Sequence, residues 1–122
     1  MKRVLIVEDH AGFRQALAKI FKWNTELEDD VQASTLAEGR RRIGQLDGVE
    51  VAVIDLGLPD GDGSELIKEL RAAEPDVPVV VLTNSTDTER HARAVDAGAE
   101  RVLTKEVSME EILEAVRGYD SL

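Results

Sequence analysis

Five short apolar runs rich in Val, Ile and Leu alternate along the chain with five segments of helical periodicity, and this alternation limits the fold more than any other feature of the sequence. The runs occupy residues 3–7, 31–34, 51–54, 79–82 and 101–103. Each is too short and too rich in β-branched residues for a helix. Those at 51–54 and 79–82 are apolar throughout, as strands buried on both faces are. Between the runs, apolar residues recur at helical intervals. The stripes are Phe13, Leu17, Ile20 and Phe21; Ala37, Ile43 and Leu46; Leu66, Ile67 and Leu70; Ala92, Val95 and Ala97; and Ile112, Leu113 and Val116. Four of the five segments open on a capping box, an oxygen-bearing side chain followed three residues later by Glu: Thr35/Glu38, Asp62/Glu65, Thr86/Glu89 and Ser108/Glu111. Gly48 and Gly98 stand where the second and fourth helices should end. Residues 24–30 are polar and read as a turn.

Strands alternating with helices at this spacing imply a parallel sheet covered on both faces and joined by right-handed crossovers. The expected fold is α/β: a doubly wound five-stranded parallel sheet with five helices, in the flavodoxin-like order 2-1-3-4-5, with its switch point between strands 1 and 3. The 122 residues make one domain, 1–122. A formal net charge of −10 argues against direct nucleic-acid binding by this chain. Arg40-Arg41-Arg42 then reads as a solvated helix face. The absence of cysteine removes disulfide frameworks and thiolate metal sites. No apolar run approaches membrane-spanning length and the start carries no signal-peptide pattern, so the expected location is cytoplasmic, without membrane partners.

Parallel strands end on one edge, and in open α/β sheets ligands bind there. The residues expected at that edge are Glu8 and Asp9 after strand 1, Asp55 after strand 3, Thr83 after strand 4 and Lys105 after strand 5. Asp55 leads into a loop in which Pro59, Gly61 and Gly63 let the backbone turn sharply and lie close to a ligand. Each residue alone has a plainer reading. Glu8-Asp9 could open a helix with Asp9 as cap, Asp55 could form a turn, Thr83 could bond the backbone, and Lys105 could lie on the surface. Their joint placement at equivalent strand ends argues for a site. Three carboxylates in one place raise one another's pKa unless a cation lies among them. Mg²⁺ takes oxygen ligands and commonly shares carboxylates with phosphate; a carbonyl near Gly57 is a further candidate ligand. His10 and His91 stand in different elements and make no metal site, and His10 reads as a helix-start residue.

On these residues the whole chain resembles a response regulator receiver domain of the CheY-like kind. The likeness is carried by Glu8-Asp9, by Asp55 within Ile-Asp-Leu-Gly-Leu-Pro-Asp-Gly-Asp-Gly, by Thr83 after Val-Val-Val-Leu, and by Lys105 after Gly98-Ala-Glu-Arg-Val-Leu-Thr. The resemblance implies that Asp55 accepts a phosphoryl group from a sensor histidine kinase. It implies that Glu8, Asp9, Asp55 and the Gly57 carbonyl hold Mg²⁺, that Thr83 bonds a phosphoryl oxygen, and that Lys105 pairs with the phosphate. The implied role is a two-component signalling switch that assists its own phosphorylation and dephosphorylation, not an enzyme acting on a separate substrate. Its partners would be the kinase and a second copy, met through helix 4, strand 5 and helix 5 or through helices 1 and 5. Val7-Glu-Asp-His-Ala-Gly-Phe-Arg14 and Lys105-Glu106 are similar to the NarL/FixJ-type regulators, which usually carry a C-terminal DNA-binding domain. Two outputs stay open: transcription, through such a domain beyond Leu122, or protein interaction as a stand-alone adaptor.

The chain departs from the family pattern twice. Glu8 replaces the commoner Asp, and Val102 stands where the family usually has Tyr or Phe, so the aromatic part of the usual switch is missing. Rival readings are weaker. A haloacid-dehalogenase-like phosphatase expects a second carboxylate two residues after the nucleophile, where this chain has Gly57. Gly57, Gly61 and Gly63 do not have dinucleotide-binding spacing.

Overall fold

The computed structural model describes residues 3–45 and 48–118. Five parallel strands, β1 (Arg3–Val7), β2 (Asp29–Ala33), β3 (Val51–Ile54), β4 (Val79–Thr83) and β5 (Arg101–Thr104), form one sheet in the order β2-β1-β3-β4-β5. Five helices alternate with them: α1 (Ala11–Asn24), α2 (Leu36–Gln45), α3 (Gly63–Ala73), α4 (Thr88–Ala97) and α5 (Met109–Arg117). The expected architecture and strand order are both present. A separate two-residue hairpin, Gly57–Leu58 with Gly61–Asp62, lies in the loop after β3.

The two-residue period of the strands divides the core. Val4, Ile6, Val51, Val53, Val80 and Leu82 face a layer with Leu17 and Phe21 of α1 and Ile112, Leu113 and Val116 of α5. Leu5, Val7, Ala52, Ile54, Val79 and Val81 face the other way, toward Leu36, Leu66, Ile67, Leu70, Ala94 and Ala97 of α2, α3 and α4. At the amino-terminal edge, the Arg71 guanidinium donates to the carbonyls of Pro75 (2.8 Å), Val77 (2.9 Å) and Gly98 (2.5 Å) and pairs with Glu100 at 3.1 Å. It ties the end of α3 to the entry of β4 and the end of α4. No helix among the described residues is long and apolar enough to cross a membrane.

The structure corrects several local expectations. β2 starts at Asp29, two residues early, because an edge strand tolerates charge on its outer side and Arg3 pairs with Asp29 at 3.2 Å. The buried stripe of α2 is Leu36, Gly39 and the partly buried Ile43; Ala37 is exposed, and Leu46 lies outside the described residues. The cause is Gly39, where a Cβ would stand 2.7 Å from the Leu66 side chain, so α2 turns its bare glycine face toward α3. The α4 cap is Asp87 instead of Thr86, its carboxylate accepting from Glu89 N at 2.9 Å. That helix buries Ala94 and Ala97, whereas Ala92 is exposed and Val95 is 55% exposed. The caps at Thr35, Asp62 and Ser108 form as expected.

Candidate functional site

Backbone pairing runs one residue past three strand ends and so fixes the site residues. Asp55 N donates to Val7 O, Glu8 N to Ala33 O and Lys105 N to Thr83 O, each at 2.9 Å. Glu8 (2% exposed), Asp55 (5%) and Thr83 (1%) are consequently buried polar groups at the rim of an apolar core, while Asp9 is exposed. α1 starts next to the acidic pair, and its cap is His10, whose Nδ1 accepts from Phe13 N at 3.0 Å.

Lys105 Nζ bridges two of the carboxylates. It is ion-paired with Glu8 Oε1 and lies 3.2 Å from Asp55 Oδ2. The ring of Phe13 closes a third side of the ammonium, with its centroid 5.1 Å from Nζ. Glu8 Oε2 accepts from His10 N at 3.1 Å, and Asp55 Oδ1 accepts from Gly57 N at 3.2 Å. Burial pushes the Glu8 carboxyl up to about 7, against the partial pull of its bond from Lys105. For Lys105, burial alone would lower the ammonium; the Glu8 bond and the Asp55 charge outweigh it and hold Lys105 above its usual range. One oxygen each from Glu8, Asp9 and Asp55 lie within 4.8 Å of one another. An octahedral cation with oxygens at ~2.1 Å needs ligand pairs about 3–4 Å apart, so an all-oxygen set of this size suits Mg²⁺ after slight contraction.

The structure therefore brings Glu8, Asp9, Asp55 and Lys105 together. Thr83 stands at the neighbouring strand end, where its Oγ1 accepts from Ser85 N at 3.0 Å, leaving its O–H free to donate. Gly57 touches Asp55 through its amide. Sequence reasoning missed three neighbours. Phe13 was expected only as core. Arg14 donates to the Glu8 carbonyl at 2.8 Å and to Gln32 at 2.9 Å. Asp60 caps α2 from a distant loop, its carboxylate accepting from Leu36 N at 2.7 Å and Ala37 N at 3.0 Å.

The two loops flanking Asp55 are held differently. The β3–α3 loop is clamped. Asp60 grips α2, and a Cβ on Gly61 (φ +158) would stand 2.6 Å from Leu36. Gly63 packs so tightly that a Cβ would stand 2.2 Å from the Asp55 carbonyl oxygen. The β4–α4 loop is held by local turns in series, from Ser85 N to Thr83 Oγ1 and from Asp87 N to Ser85 Oγ at 3.1 Å, and by His91 Nε2 donating to Ser85 O at 2.6 Å. Amide hydrogen exchange is expected to be faster across residues 84–87 than at Leu58 and Gly63, which have backbone acceptors in the hairpin loop; equal protection would contradict this reading.

Asp60 supplies a pH test. Its carboxyl is held below the usual 3.8 by the Ala37 and Leu36 amides. A carboxylate lowered in the folded state stabilises above its unfolded pKa and loses that contribution as pH falls through the folded value. Asp60→Asn should lower Tm by about a few degrees at pH 7, with the gap from wild type closing below pH ~4. Thermal unfolding at both pH values checks this.

Residues 4–117 match the response regulator receiver domain family. The chain belongs to that family. This receiver domain is 33% identical over 117 residues to the DNA-binding transcriptional activator DevR/DosR of Mycobacterium tuberculosis, covering 96% of this chain and 54% of that protein. It is 37% identical over 121 residues to the KDP operon transcriptional regulatory protein KdpE of Escherichia coli, covering 96% and 50%. The receiver domain spans about half the length of these relatives. Its fold matches the solution structure of the beryllofluoride-activated NtrC4 receiver domain dimer with a TM-score of 0.86 and 32% identity, over 98% of this chain and 96% of that one. These matches bear out the receiver-domain resemblance; they do not single out the NarL/FixJ type.

Proposed function

We propose that this receiver domain accepts a phosphoryl group on Asp55 from a sensor histidine kinase and passes the change to a transcriptional output. The observation that carries the proposal is the placement of Asp55: a buried strand-end carboxylate bonded by Lys105 and grouped with the oxygens of Glu8 and Asp9. Glu8, Asp9, Asp55 and the Gly57 carbonyl would hold Mg²⁺, which when bound neutralises charge on the phosphoryl oxygens. Asp55 attacks phosphorus in line, and its O–P bond forms as the bond to the donor histidine breaks. Lys105 turns from the carboxylates toward the phosphoryl group, and the Thr83 hydroxyl donates to one of its oxygens. Positioning and charge balance are what such a transfer requires.

The NtrC4 receiver was captured as a dimer with beryllofluoride, which supports a phosphoryl-type activated state and pairing of two copies here, through α4, β5 and α5 or through α1 and α5. Arg93, Arg101 and Glu110 are exposed on the first of these faces; Arg90 is half-buried and turned toward Asp62 at 3.9 Å. Val7-Glu-Asp-His-Ala-Gly-Phe-Arg14 and Lys105-Glu106 favour a NarL/FixJ-like output; transcription as the output has the separate support that the relative DevR/DosR is a DNA-binding transcriptional activator. The domain works as a cytoplasmic switch and not as an enzyme on a separate substrate. Val102, half-buried against the α2–α3–α4 core, favours a second reading, an interaction module that does not depend on phosphorylation.

Treatment with acetyl phosphate and Mg²⁺, followed by borohydride reduction and peptide mass analysis, should convert Asp55 to homoserine. Conversion at another carboxylate, or none, defeats the assignment.

A further inference from the structure

The Lys105 ammonium has three neighbours: Glu8, Asp55 and the face of the Phe13 ring. On the phosphoacceptor reading, the two carboxylates change partners when the site is loaded. The ring carries no charge and keeps its place. We propose that Phe13 is a positioning residue for Lys105, its ring face holding the ammonium at Asp55 while the carboxylates exchange partners. This inference rests on the assignment of Asp55 as phosphoacceptor.

Three observations support it. The separation of 5.1 Å from Nζ to the ring centroid lies within cation–π range, and the Lys105 side chain is 13% exposed, so the attraction acts in a largely desolvated setting. Lysine is a point charge on a flexible four-carbon stem, and once it leaves Glu8 its alternative is solvent. An aromatic face attracts the cation and excludes water, which closes that route. Phe13 is itself held in place. Its amide is capped by His10 Nδ1, the His10 amide binds Glu8 Oε2, and the ring packs on the α1–α5 side of the core. The junction that carries the acidic pair thus also sets the ring beneath Lys105.

The test compares wild type with Phe13→Leu, which keeps apolar bulk without the π face, and Phe13→Tyr, which restores the ring. Beryllofluoride affinity in Mg²⁺ is measured by titration, and the Lys105 side-chain proton shifts by NMR. Wild-type Lys105 Hε signals should lie upfield through the ring current and return toward free-lysine positions in Phe13→Leu. Beryllofluoride binding should weaken about three- to tenfold in Phe13→Leu and recover in Phe13→Tyr. In a Lys105→Ala background, Phe13→Leu should have no further effect, which a purely structural role would not produce. Wild-type binding with an unaltered Phe13→Leu, or an equal loss in the Lys105→Ala background, overturns this inference alone. A wild type that ignores beryllofluoride overturns the phosphoacceptor reading and this inference with it.

Discussion

Asp55→Asn is expected to abolish acetyl-phosphate labelling and any response to beryllofluoride, a loss of at least about 10³-fold in labelling rate. An amide oxygen does not form an acyl phosphate, and the remaining carboxylates do not replace it. Glu8 is turned back onto His10 N and Lys105, and Asp9 is exposed. The fold should survive the change. Asn keeps an oxygen for the Gly57 amide, which donates to Asp55 Oδ1 at 3.2 Å, and Lys105 keeps its pair with Glu8. Thermal unfolding near that of wild type, together with lost labelling, is the expected pair of results. Labelling that persists in the variant would move the phosphoacceptor elsewhere.

Gly63→Ala should damage fold and site together. The added Cβ would meet the Asp55 carbonyl oxygen at 2.2 Å and the Leu56 Cα at 3.0 Å, both backbone atoms. Neither can rotate away as a side chain does. Gly63 N also donates to Leu56 O at 2.9 Å, and Asp62 caps the helix that Gly63 begins, so α3 cannot shift without losing its start. Overpacking of this kind costs about 1–3 kcal/mol and occasionally more; with no flexible group to yield, about 3 kcal/mol is expected. In a chain of this length that lowers Tm by about 10 °C. Labelling of Asp55 should fall as well, because the residue forced to move is Asp55. Gly44→Ala is the control. Nothing lies within 4 Å of its added Cβ, and an exposed helix position should gain about 0.5–1 kcal/mol. Equal melting of the two variants would show that the close approach at Gly63 is tolerated.

The strands and the residues at the sheet's edge could be read from the sequence because each depends on a local signal, whereas the strand order came from the general rule for doubly wound sheets. Unbroken runs such as Val51–Ile54 mark central strands, and the parallel sheet then delivers Glu8, Asp55, Thr83 and Lys105 to one rim. Helix faces were read less well: two of the misread positions are alanines, and Val95, 55% exposed, is a third. Ala37 and Ala92 point outward although each fitted an apolar stripe, because alanine costs little on either side of a helix. Thr86 lost the cap to Asp87 because both are good capping residues and one position decides the outcome. The long-range partnerships had no pattern to betray them. Asp60 reads as an ordinary turn residue between Pro59 and Gly61, yet it bonds amides 24 and 23 residues away. Phe13 reads as one member of a core stripe, and only folding brings it beneath Lys105.

The unequal tethering of the loops beside Asp55 makes the sheet edge mechanically lopsided. On one flank, Asp60 bonds two amides of α2, Gly63 N donates to Leu56 O, and Gly61 and Gly63 pack where a side chain would clash. On the other, residues 84–87 hang from Thr83 through single bonds in sequence, with His91 as the brace. With these tethers, a load applied at Asp55 is expected to meet more resistance toward α2 and α3 than toward α4. On the phosphoacceptor reading, displacement follows the weaker tether, so the direction in which this domain deforms is expected to be written into its unloaded contacts before a phosphoryl group arrives.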